Sequence, residues 1–249
     1  MRSALVTGAS RGIGRGIAVH LAAQGFGLTV TARGGAELEE LATELRTAGS
    51  PSVVHLAVDM ADRDALPELV GLHGRTFGSM SALVLNAGVG TAGDVATTLL
   101  DRVDKTLSVN FLSPLVLIQQ SLPLLHAGAS QDPERGAKVV GLSSITGVYS
   151  EPGLAAYGAS KAALMSLLDT VNAEESDRGV SATAIAPAFV ATDMSAWTTD
   201  TVPADTVPAD TMITVDDVVR VVAMVLGLSR NAVISRVVVG RAGSGGYRA

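Results

Sequence analysis

Short runs of apolar residues alternate along this chain with longer stretches whose apolar positions recur every three to four residues. The short runs fall at 3–7, 27–32, 52–58, 81–86, 137–143, 180–186 and 233–239. Their length and their Val, Leu, Ile and Ala content suit buried strands. Helical spacing occupies 13–24, 35–48, 62–77, about 97–126, 155–178 and 214–227. In the first of these, Ile17, Ala18, Leu21 and Ala22 repeat with the helical period. Strands that are apolar throughout belong to sheets covered on both faces. The alternation therefore predicts an α/β fold: a doubly wound parallel sheet of about seven strands with helices on both sides. Such sheets take ligands beyond the carboxyl ends of their strands.

One stretch, 188–212, breaks the alternation. It holds a direct repeat, Val202-Pro203-Ala204-Asp205-Thr206 and Val207-Pro208-Ala209-Asp210-Thr211. Prolines and acids five residues apart suit a turn-rich surface loop, not a core strand. We read 1–249 as a single domain and 188–212 as a lid over it. Met194, Trp197 and Met212 are candidates for an apolar pocket wall, or for packing the lid against the body.

Composition narrows the function classes. The 249 residues are 47% hydrophobic, enough for one large core. There is no cysteine, so neither a disulfide framework nor a thiolate metal site can form. A net charge of −6 argues against a nucleic-acid footprint, which needs a basic face. No apolar run approaches the ~18 residues of a membrane span, and Met1-Arg2 leads into the first strand without a signal-peptide pattern. The expectation is a soluble cytoplasmic protein with no membrane partner. His20, His55, His73 and His126 are scattered, without the spacing of a metal site or a catalytic triad, so no metal is expected. Asp216-Asp217 reads as the acidic first turn of a helix.

Two local patterns carry chemistry. The first strand runs straight into Thr7-Gly8-Ala9-Ser10-Arg11-Gly12-Ile13-Gly14, and a helix follows. In that context backbone N–H groups and a helix N-terminus can hold a pyrophosphate. The spacing is G-x-x-x-G-x-G, and alone it would fit a plain tight turn equally well. The second pattern is Tyr157 and Lys161, four residues apart and so on one helix face, with Ser144 thirteen residues before the tyrosine. A free phenol has a pKa near 10. A cation about 4 Å away, at an effective dielectric of about 20, favours the phenolate by roughly 4 kcal/mol, or about 3 pKa units. The phenol is then expected to be poised for general acid–base work near neutrality.

Together these residues resemble the short-chain dehydrogenase/reductase family along nearly the whole chain. Its cofactor loop looks like Thr7 to Gly14, with Gly8, Ser10, Arg11, Gly12, Ile13 and Gly14 as contacts. Its adenine-side aspartate matches Asp59, and its Asn-Ala-Gly stretch matches Asn86, Ala87 and Gly88. Its helix asparagine matches Asn110, and its Ser, Tyr and Lys match Ser144, Tyr157 and Lys161. The family's usual Pro-Gly after the sixth strand is Pro187-Ala188 here, which gives that backbone less freedom. The resemblance implies a Rossmann-type fold and a nicotinamide cofactor, with Pro187, Val190 and Thr192 near the nicotinamide. Where the family binds NAD it places an acid at the end of the second strand. This chain has Ala32 there, followed by Arg33. Guanidiniums at Arg33 and Arg11 suit the 2′-phosphate of NADP(H).

The implied reaction is hydride transfer from NADPH to a carbonyl. Tyr157 would donate the proton, Ser144 hold the oxygen, and Lys161 bind the nicotinamide ribose and lower the Tyr157 pKa. Asn110 would hold a water linking Lys161 to solvent. Two other readings use the same residues: an NAD(P)-dependent alcohol dehydrogenase running oxidatively, and a dinucleotide-sensing module without turnover. The nearest general likeness is to the β-ketoacyl carrier-protein reductases, because Arg135 and Arg178 fall where that group has arginines that meet an acidic carrier. The partners implied are a small-molecule carbonyl or alcohol, a carrier-bound acyl group among them, and three further copies in a homotetramer. Steroid, sugar, quinone and xenobiotic carbonyls stay open.

Overall fold

The computed structural model describes residues 1–194 and 207–243. Trp197 and the first copy of the repeat, 202–206, lie outside the described residues.

Seven parallel strands form one sheet in the order β3-β2-β1-β4-β5-β6-β7. They are β1 (Ser3–Thr7), β2 (Gly27–Ala32), β3 (Val53–Ala57), β4 (Ala82–Leu85), β5 (Ala137–Leu142), β6 (Val180–Pro187) and β7 (Arg236–Val239). Every residue of β1, β4, β5 and β6 is buried, which is why these segments read as mostly apolar runs, with the buried polar exceptions Ser3, Thr7, Lys138, Ser181 and Thr183. The pleat sends successive side chains to opposite faces. Ala4 and Val6 join one core layer and Leu5 the other; Ala82 and Val84 are likewise separated from Leu83 and Leu85. The first layer packs under α1 (Gly12–Ala23), α2 (Gly35–Thr47) and α7 (Val215–Gly227). The second packs under α3 (Leu66–Phe77), α5 (Ser113–Gln131) and α6 (Ala155–Glu175). A fully buried Leu in either layer stabilises the fold by about 1.5–3 kcal/mol.

Most predicted elements agree with the structure to within a few residues, and the departures have physical causes. The helix expected over about 97–126 is α4 (Leu100–Leu107), a π turn (Ser108–Leu112) and α5, which runs on past Pro123 to Gln131. By length and composition this Leu100–Gln131 segment would suffice to cross a membrane. That corrects the reading that nothing in the chain approaches a span, a reading that looked only for unbroken apolar runs. The segment's buried residues, Val109, Leu117, Ile118, Leu125 and Ala129, pack in the second core layer. The final strand begins at Arg236, not at 233. The acidic pair Asp216-Asp217 does open a helix: Thr214 and Asp217 form a reciprocal capping box at the start of α7.

The sheet order reverses between β1 and β4: the helices that follow them pack on opposite faces of the sheet, α1 in the first layer and α5 in the second, which leaves a crevice beyond their carboxyl ends. At the other end of the strands lies a buried polar cluster. The His73 ring contacts the Ser3 hydroxyl at 3.2 Å, the Thr29 hydroxyl at 2.8 Å and the Ser79 carbonyl at 3.1 Å. Burial lowers its pKa to about 4, so the ring is neutral and structural.

Candidate active site

The loop from β1 to α1 is shaped by two close approaches. Gly8 has φ +63°, and a Cβ there would lie 2.9 Å from Ala87 Cα. A Cβ on Gly14 would collide with Asn86 Nδ2 and the Gly8 carbonyl. Both positions therefore require glycine, the first for its backbone and the second for space. Asn86 locks the arrangement by donating from Nδ2 to the carbonyls of Thr7 (3.0 Å) and Gly8 (2.9 Å). Thr7 reciprocates: its hydroxyl accepts from Asn86 N and Ala87 N, both at 3.0 Å. The Asn-Ala-Gly stretch thus clamps the glycine loop to the end of β4.

That clamp leaves an anion site open. No side chain caps the N-terminus of α1, and its first turn carries no acid, so the orphan N–H groups and the helix dipole face the crevice. The crevice is a groove of about 980 Å³ lined by the glycine loop, Arg33, Asp59, the 86–89 loop, Ser144, Tyr157, Lys161 and 187–194. Every cofactor-contact residue expected from the sequence lines it, with one exception: Gly14 lies behind the loop as a packing residue. This donor set fits a dinucleotide diphosphate.

At the adenosine end, Arg33 is exposed and makes no ion pair among the described residues. Asp59 uses Oδ1 to accept from Ala61 N at 2.9 Å. Arg11 is turned toward the lid instead, pairing with Asp193 at 3.0 Å. A carboxylate that sequence reasoning missed, Glu37, lines the same end and lies against Gly34.

At the other end, three elements converge. Lys161, almost fully buried on α6, donates from Nζ to the Leu142 carbonyl at 2.8 Å. Asn110, in the π turn, donates to the Val89 carbonyl and the Ser160 hydroxyl, each at 2.9 Å, and accepts from Val89 N at 2.9 Å. Ser160 in turn donates to the Tyr157 carbonyl at 2.7 Å, so Asn110 ties the 86–89 loop to the turn of helix carrying Tyr157 and Lys161. Both its amide hydrogens are used, so any water it holds must meet its remaining acceptor capacity. Ser144 accepts from Thr146 Oγ1 at 3.0 Å, which frees its own hydroxyl hydrogen for the Tyr157 oxygen.

The electrostatics correct one expectation. Burial raises the Tyr157 pKa above its ordinary value, with the Ser144 hydrogen bond only partly opposing it. Burial also lowers Lys161 to about 8. The ammonium lies 5.7 Å from the ring centroid and is spent on Leu142, so the pair does not give the direct depression expected of a neighbour at about 4 Å. Val190 and Thr192 line the groove. Val190 bridges to Ile213, and Thr192 packs against Gly12. Ala188 is accommodated in place of glycine, its N–H donating to the Val239 carbonyl at 2.9 Å. Arg135 and Arg178 are held locally by Asp132 and Glu175, each at 3.5 Å.

The family model for short chain dehydrogenases matches residues 2–202. The chain belongs to that family. Among curated relatives, the 3-oxoacyl-[acyl-carrier-protein] reductase FabG of Staphylococcus aureus is 32% identical over 194 residues, covering 78% of this chain and 76% of its own. An uncharacterized oxidoreductase of Mycobacterium tuberculosis is 31% identical over 229 residues, 91% of this chain and 84% of its own. Among solved structures, a short chain dehydrogenase from Burkholderia cenocepacia in complex with NADP superposes with a TM-score of 0.82 at 28% identity, covering 97% of this chain and 96% of that one. An alcohol dehydrogenase from the archaeon Thermococcus sibiricus reaches a TM-score of 0.85 at 24% identity and covers 100% and 98% of the two chains; it speaks for the fold. This short chain dehydrogenase is therefore an oxidoreductase.

Proposed function

We propose that the enzyme is an NADP(H)-dependent carbonyl reductase. The observation that carries this reading is the convergence of Ser144, Tyr157 and Lys161 at one end of a groove whose other end offers an exposed arginine, Arg33, and no acid at position 32. The NADP complexes of the structural relatives support the same cofactor.

The α1 N-terminus would hold the diphosphate of NADPH, Arg33 its 2′-phosphate and Lys161 its nicotinamide ribose, and the bound cofactor would supply a hydride. The residues of this chain do the rest. Ser144, oriented by Thr146, donates to the substrate carbonyl oxygen and stabilises the charge that develops there. Tyr157 gives that oxygen its proton, for which a phenol protonated at neutral pH is the right starting form. The Lys161 ammonium, bonded to the Leu142 carbonyl and 5.7 Å from the ring centroid, gives the phenolate that remains only a through-space field, and Asn110 ties the 86–89 loop to the turn of helix carrying Tyr157 and Lys161. We read 188–212 as a lid whose described flanks, 188–194 and 207–212, meet at the Val190–Ile213 bridge. We place the enzyme in the cytoplasm as a homotetramer, a reading supported by its relation to the acyl-carrier-protein reductases and by the exposed Val95, Leu99 and Leu100 leading into α4.

The test is oxidation of NADPH and NADH against a panel of carbonyls that includes a β-ketoacyl thioester, with Tyr157→Phe as control. Turnover with NADPH that is lost in Tyr157→Phe supports the reading. Tight NADPH binding with no turnover on any carbonyl favours a sensing role, and turnover only with alcohols and NADP⁺ favours the oxidative one.

A further inference from the structure

The adenosine end of the groove holds two opposite charges that do not meet. Arg33 directly follows β2, and Glu37 stands in the first turn of α2. Both are exposed, and both line the groove together with Ala32, Gly34 and Asp59. Glu37 folds back along its helix. A Cβ on Gly34 would collide with the Glu37 carboxylate, whose carbon would lie 2.7 Å from it. Gly34 thus leaves the room that the carboxylate occupies, and the charge is set beside the end of β2. Glu37 is the third residue after the Gly34 N-cap, where a capping box would have it accept from the N-cap N–H. It does not: among the described residues Glu37 accepts no hydrogen bond and pairs with no cation. In α7 the equivalent Asp217 does accept that bond, from Thr214 N at 3.0 Å. The Glu37 oxygens are therefore unspent and open to the groove. Arg11, meanwhile, is held by Asp193 at 3.0 Å, so one of the two guanidiniums expected to favour a phosphate is already paired.

Resting on the reductase reading above, we infer that Glu37 is a specificity-determining residue: its carboxylate accepts from the adenosine ribose hydroxyls of NAD(H), so that the enzyme binds NADH alongside NADPH. A ribose hydroxyl donates to a carboxylate through a charge-assisted bond, stronger than one to a neutral acceptor. A 2′-phosphate removes the 2′-hydroxyl donor and brings negative charge to the same carboxylate. One side chain therefore acts with opposite sign on the two cofactors, and specificity is the difference of the two affinities. Glu37 supplies from α2 the acid that position 32 lacks.

The test is fluorescence titration, without substrate, of wild type, Glu37→Ala and Glu37→Gln. The ligands are NADPH, NADH and 2′-deoxy-NADH, whose adenosine ribose has no 2′-hydroxyl. Wild type is expected to bind NADPH no more than about 20-fold tighter than NADH, and NADH about 10-fold tighter than the deoxy analogue. Glu37→Ala should weaken NADH about 10-fold, tighten NADPH several-fold and bind NADH and 2′-deoxy-NADH alike. Glu37→Gln keeps a neutral acceptor, so NADH should weaken only about 2- to 5-fold while NADPH still tightens. NADH affinity unchanged in Glu37→Ala, a parallel loss of both nucleotides, or discrimination against the deoxy analogue that survives the substitution overturns the inference. Each of these leaves the reductase reading to stand on NADPH turnover. Wild type that binds none of the three nucleotides overturns both.

Discussion

The ammonium of Lys161 donates to the main-chain carbonyl of Leu142, which pins α6 to the end of β5. No carboxylate among the described residues pairs with it, and burial lowers its pKa to about 8. Because the folded value lies below the ordinary 10.5, the unfolded chain binds more protons between pH 8 and 10.5. The charged lysine therefore costs stability at neutral pH, and that cost is relieved as pH rises through this window.

Two outcomes are expected from this. NADPH affinity should be flat below about pH 7.5 and weaken above pH 8, by up to tenfold per unit, as the ammonium proposed to hold the ribose is lost. Lys161→Met should raise the thermal midpoint at pH 7 by a few degrees while abolishing turnover, since a site residue is exchanged for packing. Fluorescence titration across pH and calorimetry of the variant check both. An NADPH affinity unchanged from pH 7 to 10 would count against the ribose contact.

At the adenosine end, Arg33 and Glu37 face the same part of the groove with opposite charge. Arg33→Ala should weaken NADPH binding about 10- to 150-fold, the worth of one charge-assisted hydrogen bond, with little effect on NADH. Glu37→Gln should tighten NADPH binding several-fold by removing a carboxylate beside the proposed phosphate. Paired titrations with both nucleotides decide it. If Arg33→Ala bound NADPH as tightly as wild type, the assignment of this arginine would be wrong.

The fold was legible because parallel strands buried on both faces leave mostly apolar runs: β4 is apolar throughout, and β1, β5 and β6 are broken only by single polar residues such as Lys138 and Thr183. The long helix was placed but not its irregularity. Nothing in Ser108-Val109-Asn110-Phe111-Leu112 announces a π turn, which is stabilised by tertiary bonds from Asn110 to Val89 and Ser160. The glycine loop and the Tyr157–Lys161 pair stood out by type and spacing, and Asn86 and Ser144 by the resemblance to the family. Their electrostatics did not, because the i, i+4 spacing gives a shared face but not the 5.7 Å separation or the competing Leu142 carbonyl. Glu37 and Thr146 were missed, since single polar residues on loops or exposed first turns carry no periodic signal.

Gly14 lies under Asn86, and any side chain there must displace either that amide or the Gly8 carbonyl. Gly14→Ala should destabilise the protein by about 1–3 kcal/mol, as overpacking does, and should abolish NADPH binding by opening the loop. Asn86→Ala should give a milder loss of both. A chemical-denaturation curve and an NADPH titration for each variant suffice; a Gly14→Ala protein with native affinity would contradict the clamp.

His73 makes the fold acid-sensitive. Its folded pKa of about 4 lies below the ordinary 6.5, so the unfolded chain takes up a proton that the native cluster excludes. Stability contributed by the neutral ring is present above pH 6.5 and is lost as pH falls through 4, amounting to about 3 kcal/mol. His73→Gln should be less stable at pH 7, with Ser3 and Thr29 less well satisfied, but its stability should fall less steeply between pH 6.5 and 4. Denaturant midpoints measured across that range distinguish the two slopes.

Thr146 donates to Ser144 from both its hydroxyl and its backbone N–H, and those two bonds leave Ser144 one direction for its own hydrogen. Thr146→Val keeps the volume and the backbone bond but removes the hydroxyl donor, so Ser144 can rotate away from the carbonyl oxygen it is proposed to hold. One neutral hydrogen bond is worth about 0.5–1.5 kcal/mol, which corresponds to a loss of about 2- to 10-fold. Because the interaction strengthens as charge develops on oxygen, the loss should appear in kcat and not in KM. Thr146→Ser restores the donor and should recover most of the rate. A Thr146→Val enzyme with unchanged kcat and raised KM would show instead that this hydroxyl shapes the substrate pocket and does not orient Ser144.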